Sequence, residues 1–435
     1  MAANFKAETF QNEFLPAGTA DVHAIMTVTA GESAGADSVS PGAGTGGRLF
    51  GILCDVSGSM EGGKILAAKG AIATVVRLLP EDCHFFIVTG SDSGYVVCPT
   101  MRADAAGKQR ALAAIKNVQA SGGTRISQWL TAALNQFQAT PAAVRQALLL
   151  TDGQNDPTDQ QPLTEILKRC EGMFQCDCRG VGTDWRVEQL RMIAGALLGT
   201  TDIIRSPAEI EADFTAILGK SMAKTMGAVS LRLWTPQGAR VKFCKEVSPE
   251  IVDLTGKARQ VKPQLLEYPT GAWGKGEARD FHFCIQVNPG NVGDEVLAGR
   301  ASLIYIEQGV ETKLAEARIL AVWTDDEGKS AKIDRVVAHY TGQAELAQSI
   351  QEGLDARAHG DTEKATVLLG KAVKIAAESG NEATSKLLRR VVDVEDAETG
   401  TVRLKQAVAK EDSMALETRS TKTARIAKVQ QEVKG

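Results

Sequence analysis

Aromatic side chains are scarce, at 5% of the 435 residues. Single-stranded nucleic acid is held largely by base stacking on such side chains, so it is a poor fit as a partner. Excess positive charge is missing too. The formal net charge is −4, which gives no overall basic field to hold a polyanion. No apolar run approaches the roughly 20 residues that a membrane helix needs. The first residues, MAANFKAETFQNEF, lack the charged n-region and apolar h-region of a secretory signal. No membrane contact is expected, and the expected compartment is the cytoplasm. The eight cysteines agree with a reducing environment. They are scattered, and several lie in apolar runs (GILCDV, DCHFFIV, FHFCIQV) where a free thiol behaves as a small hydrophobe. Cys176 and Cys178 form a C-x-C pair, but no second pair stands at zinc-site spacing. The pair reads as two strand residues on one face of a sheet.

Catalytic signatures are also lacking. Of the five histidines, none belongs to an H-E-x-x-H motif, and His84 and His282 sit in apolar strands. There is no phosphate-binding G-x-x-x-x-G-K-[ST] loop and no G-x-S-x-G elbow. A non-enzymatic chain is expected.

What is present reads as several domains. Apolar residues make up 43% and charged residues 23%, ordinary for a globular protein, and the length suggests two or three cores. Residues 1–30 contain one strand, ADVHAIMTVTA. Residues 31–47, with six glycines, read as a linker. From 48 to 226 buried strands alternate with amphipathic helices, the pattern of an α/β domain with a mostly parallel sheet. RLFGILCD is continuously apolar, as a strand covered on both faces must be. Residues 228–324 hold short strands between turns and predict an antiparallel β-sandwich. The strand at 20–30 has no neighbour in sequence to pair with. It is expected to join that β domain, which makes the α/β domain an insertion. Residues 342–410 are expected to be helical. Their stretch ARAHGDTEKATVLLGKAVKIAAESGN resembles a tetratricopeptide-like hairpin, but one hairpin is no repeat array, and a small helical cap on the β domain is expected. Residues 411–435 read as a basic, flexible tail.

One short segment stands out. In GILCDVSGSM an apolar strand stops at Asp55, and Ser57 and Ser59 follow directly. Thr124 lies in the loop SGGT, 65 residues beyond Ser59, and Asp152 ends the strand ALLLTD 28 residues later. Ligands of open α/β sheets bind at the carboxyl ends of the strands, where sheet topology can gather all three loops. Small hydroxyls and carboxylates suit a hard divalent cation. If a carboxylate binds through water, an inner shell rich in neutral hydroxyls leaves the metal electrophilic.

DVSGSM, then GGT, then LLLTDG resembles the von Willebrand factor A domain and its metal-ion-dependent adhesion site, in the form found in cytosolic bacterial proteins. GVGTDW at 180–185 is similar to the end of a later strand of that family. The resemblance covers about 48–226. It implies a doubly wound, Rossmann-like sheet and a Mg²⁺ or Mn²⁺ ion held by Asp55, Ser57, Ser59, Thr124 and Asp152. It also implies a protein partner that supplies an Asp or Glu carboxylate. The tail suggests more. Thr418, Ser420, Thr421 and Thr423 stand among basic residues as candidate phosphoacceptors for a Ser/Thr kinase, to be read by a forkhead-associated protein. The alternative expectation is an adaptor for a MoxR-type AAA+ ATPase or a chelatase-like assembly.

Overall fold

The computed structural model describes residues 5–31, 47–307 and 309–425. The chain forms two compact units. One holds residues 47–229 and Thr270–Gly276, and the other holds Phe5–Gly31, Ser230–Pro269 and the described residues from Glu277 onward.

The first unit is an α/β fold around a six-stranded sheet. In spatial order its strands are Gly94–Arg102, Cys83–Gly90, Arg48–Asp55, Val144–Thr151, Gln175–Val181 and Thr201–Ile204. Only the edge pair of Cys83–Gly90 with Gly94–Arg102 is antiparallel; the other pairs run parallel. The order turns about between Arg48–Asp55 and Val144–Thr151, the position at which doubly wound sheets open a crevice at their carboxyl ends. Continuous burial of Leu49 to Asp55 explains why the sequence there does not alternate. On one face Phe50, Ile52 and Cys54 pack with Ile72, Val75, Val76 and Phe214. On the other the Phe86 ring stacks edge-on to Phe137, which lies flat against Phe174. Gly51 is required here, because a Cβ would lie 2.4 Å from the Phe86 ring. Each fully buried aromatic of this kind contributes roughly 1.5–3 kcal/mol.

The second unit contains the antiparallel part. One sheet runs Phe5–Gln11, Asp21–Ala30, Ala278–Gln286, Arg240–Ser248 and Val252–Asp253. Asp21–Ala30 therefore pairs on one side with a strand more than two hundred residues downstream, in unbroken register from Ala278 against Thr29 to Gln286 against Asp21. A second sheet includes the long hairpin Glu295–Glu307 with Val310–Thr324. Helices Arg335–Ala358, Thr362–Glu378 and Glu382–Val391 follow. Asp334, Asp361 and Asn381 cap them with side-chain oxygens. Val337 and Tyr340 of the first helix pack with Ile25 and Val247 of the first sheet.

Two expectations need correction. The helical region begins at Arg335 and is interrupted by a β-hairpin, Val392–Asp396 with Thr401–Leu404. The segment after 410 is not a free tail as far as it is described. Lys410–Arg419 is a helix, and Ile251 and Thr423 exchange backbone hydrogen bonds with Thr421 and Pro249. Residues 426–435 lie outside the described residues, as does nearly all of the glycine-rich linker. Among the described residues no helix is long and apolar enough to cross a membrane.

Candidate metal centre

Asp55 is the last residue of its strand and is fully buried. One carboxylate oxygen accepts the Ser57 backbone N–H at 2.7 Å, and the other accepts the Thr151 hydroxyl at 2.5 Å. Burial raises its carboxyl to about 6, against the lowering effect of Ser57 and Thr151, while the neighbouring Asp152 adds to the rise. Asp152 leaves the end of the adjacent strand and is also fully buried. Its Oδ1 accepts the Ser59 hydroxyl at 2.6 Å, and its Oδ2 lies 2.5 Å from the Lys64 ammonium. Ser57 and Ser59 share a hydrogen bond of 3.0 Å.

The Thr124 loop is fastened to the first loop through its backbone. Gly58 donates to the Gly122 carbonyl at 2.9 Å, and Ser121 donates to the Val56 carbonyl at 2.7 Å. It is fastened to the third loop by Asp156, whose N–H reaches the Thr124 carbonyl at 2.8 Å. The gap among the hydroxyls is visible at Gly153. A Cβ there would sit 3.3 Å from Thr124 Oγ1 and 3.4 Å from Ser59 Oγ. The three loops therefore bring Ser57, Ser59, Thr124 and Asp152 to one edge of the sheet, with Asp55 directly beneath. They border an open cleft of about 1160 Å³, also lined by Asn155, Arg186 and Glu188.

Several residues of the site escaped sequence reasoning. Lys64 stands in the first turn of Gly63–Leu78, where a lysine carries no distinctive signal. Thr151 passed as a strand residue. Asn155 and Asp159 cap a helix from a distance: Asn155 Oδ1 accepts from Ile126 N at 2.8 Å, and Asp159 Oδ2 from Ser127 N at 2.9 Å. Those bonds replace a local cap at Arg125 and hold the Thr124 loop in place. Their only trace in sequence is the polar run after LLLTDG. Arg125 itself is half-exposed and 3.7 Å from Asp156.

The four tail hydroxyls are elsewhere. Thr418 is fully buried and donates to the Met414 carbonyl, and Ser420 is buried and donates to the Glu417 carbonyl. Thr421 donates to Glu250 and Thr423 to the Val247 carbonyl. All four hydroxyls thus donate hydrogen bonds inside the second unit, Thr418 and Ser420 from buried positions and Thr421 and Thr423 from partly buried ones.

Do the residues of the cluster suit a divalent cation? The donors are hard oxygens on short side chains, as Mg²⁺ and Mn²⁺ prefer. A cationic group, the Lys64 ammonium, already rests on Asp152. Two buried carboxylates side by side otherwise disfavour one another. Among the described residues no group of three or more His, Cys, Asp and Glu side chains is placed to hold a metal, so the hydroxyls are essential to any such site. The set fits.

This geometry agrees with the comparisons. Residues 51–203 match the von Willebrand factor type A domain, and residues 374–420 match the von Willebrand factor type A C-terminal domain. A solved von Willebrand factor type A protein from Catenulispora acidiphila is 43% identical, with a TM-score of 0.91 over 98% of both chains. The chain belongs to the von Willebrand factor type A family. A von Willebrand factor A domain-containing protein of Dictyostelium discoideum is 28% identical over 190 residues, but the chain spans only 20% of that relative's length. The ArnB paralog VWA2 from Sulfolobus acidocaldarius, 14% identical with a TM-score of 0.59 over 97% of this chain and 98% of that one, shares the fold. Domains of this family commonly mediate protein–protein interaction and are typically not catalytic.

Proposed function

We propose that the chain is a non-enzymatic interaction protein in which Asp55, Ser57, Ser59, Thr124 and Asp152 hold Mg²⁺ or Mn²⁺, and that the ion captures an Asp or Glu carboxylate of a protein partner. The observation that carries it is the convergence of three hydroxyls and Asp152 on one open edge, with Asp55 below. The ion would supply a Lewis-acidic position for an incoming oxygen, and Ser57, Ser59 and Thr124 line the cleft from which that oxygen would come.

A buried polar group also stands beside the cleft. Asn155 lines the cleft and is 7% exposed, and its Nδ2 has no hydrogen-bond partner among the described residues. A kinase-linked role loses its support with the burial of Thr418 and Ser420, and the geometry carries no motor-adaptor role.

The test is calorimetric titration of Mg²⁺ and Mn²⁺ into the wild type and into Asp55→Ala combined with Ser57→Ala, with circular dichroism as a check of folding. Saturable binding in the wild type and none in the folded variant is expected. Equal binding by both would overturn the assignment of the site.

A further inference from the structure

Lys64 has no part in the five-residue oxygen set, yet it makes a short ionic contact to it. Its ammonium lies 2.5 Å from Asp152 Oδ2. The two partners differ in environment: Asp152 is fully buried, while the Lys64 side chain is 30% exposed. The carboxylate has no access to solvent, but the lysine can leave. Its stem starts from the first turn of Gly63–Leu78, beyond the loop that carries Ser57 and Ser59.

Resting on the metal reading above, we infer that Lys64 is a built-in counter-cation. It holds Asp152 ready in the absence of metal, competes with the ion for that carboxylate, and makes the loaded site anion-attracting. The formal charges give the reason. Asp55, Asp152 and Lys64 sum to −1 without metal (−2 + 1), and a divalent ion raises this to +1 (−1 + 2). Without Lys64 the same two states are −2 and 0. The lysine thus disfavours the ion while the cleft is empty, and converts a loaded site from neutral to positive. A positive site attracts a carboxylate; a neutral one does so weakly. Binding of metal and partner would then reinforce one another, since the partner's carboxylate gives the displaced ammonium a new counter-charge.

The experiment compares wild type, Lys64→Met and Lys64→Arg. Mg²⁺ affinity is read by calorimetry, and thermal unfolding is followed in EDTA and in saturating Mg²⁺. Removing a charge at hydrogen-bond distance is expected to tighten Mg²⁺ about tenfold or more in Lys64→Met. The same variant should melt lower than wild type in EDTA, because Asp152 is left buried without a counter-charge, and gain more from Mg²⁺. Lys64→Arg should stay close to wild type. If Lys64→Met fails to fold without metal, Lys64→Gln, which keeps a donor for Asp152, serves in its place. Equal or weaker Mg²⁺ binding in the folded neutral variant overturns the role of Lys64 alone. Absence of Mg²⁺ binding in all three proteins overturns the metal reading and the competition with it.

Discussion

The Ser59 hydroxyl donates to Asp152 Oδ1 at 2.6 Å across 93 residues of sequence. The bond joins the ends of two adjacent parallel strands, where the strand order reverses. Asp152→Asn keeps an oxygen to accept it and removes the charge. Lys64 then loses its partner but is exposed enough to turn to solvent. The expected outcome is a Mg²⁺ affinity lowered at least about tenfold, equivalent to roughly 1.4 kcal/mol, with little change in melting temperature. Calorimetry and a melting curve check both. This is the reverse of what Lys64→Met should do, since burial falls on one partner only.

Thr151 is fully buried, and its hydroxyl donates to Asp55 Oδ2 at 2.5 Å while accepting the Gly153 N–H at 3.2 Å. Thr151→Val keeps the shape and removes both bonds. Leaving a buried carboxylate short of a donor costs about 1–3 kcal/mol, so chemical denaturation should report a loss of that size. Thr151→Ser should restore most of it. A variant that is unchanged would mean that Asp55 finds another donor on relaxation.

At Gly153 a methyl group would stand 3.3 Å from Thr124 Oγ1 and 3.4 Å from Ser59 Oγ. Those approaches are tight, but the neighbouring atoms are side-chain hydroxyls that can yield by a few tenths of an ångström, so Gly153→Ala should fold. The methyl would nevertheless occupy the space among the hydroxyls. Weakened Mg²⁺ binding with an almost unchanged melting temperature is the expected result, and calorimetry beside thermal unfolding measures it.

Much of this site was legible because its residues sit where backbone pattern changes. Asp55 and Asp152 each end a continuous apolar run, so periodicity alone marks both as leaving a sheet, while Thr124 follows two glycines in a loop that opens a helix. Their convergence needed the sheet order, which the family resemblance supplied. Lys64 and Asn155 were hidden because a lysine in a first helical turn and an asparagine after a turn have ordinary surface explanations. Only the coordinates show that one meets a buried carboxylate and the other buries its amide. The error at the C-terminus has a different cause. Residues 411–425 look like a tail by charge, but Met414, Ala415 and Leu416 are buried, and three apolar residues in a polar stretch are too weak a signal against that background. The hairpin at 392–404 was lost in the same way, between two helical stretches.

The second unit contains a histidine pair with a pH consequence. His282 is 5% exposed, and its Nε2 lies 3.2 Å from His23 Nδ1. Burial, with the neighbouring His23 and Lys245 acting in the same direction, lowers His282 to about 3. In the unfolded chain it would titrate near 6.5. Below that pH the unfolded state binds a proton that the folded state refuses, so stability should fall as pH drops from about 6.5 towards about 3, by up to a few kcal/mol. Above that window His282 makes no pH-dependent contribution. Denaturation of wild type and His282→Gln at several pH values should show a difference between the two that grows as the solution is acidified. A constant difference would place the acid sensitivity elsewhere.

Thr418 is fully buried on the helix Lys410–Arg419, with its hydroxyl on the Met414 carbonyl at 2.6 Å. The chain beyond it is fixed by several bonds: Thr421 to Glu250 at 2.7 Å, Thr423 to the Val247 carbonyl at 2.7 Å, and Arg425 to the buried Asp280 at 3.1 Å. A phosphate at Thr418 would force a charge into that interior. Thr418→Val should therefore be tolerated within about 1 kcal/mol, the net worth of one hydrogen bond. Thr418→Glu should cost about 3 kcal/mol or more, as an unpaired buried charge does. Denaturation of the two variants measures the contrast. A Thr418→Glu variant as stable as wild type would mean that the helix opens readily, and the hydroxyls at 418–423 would again be candidates for a kinase.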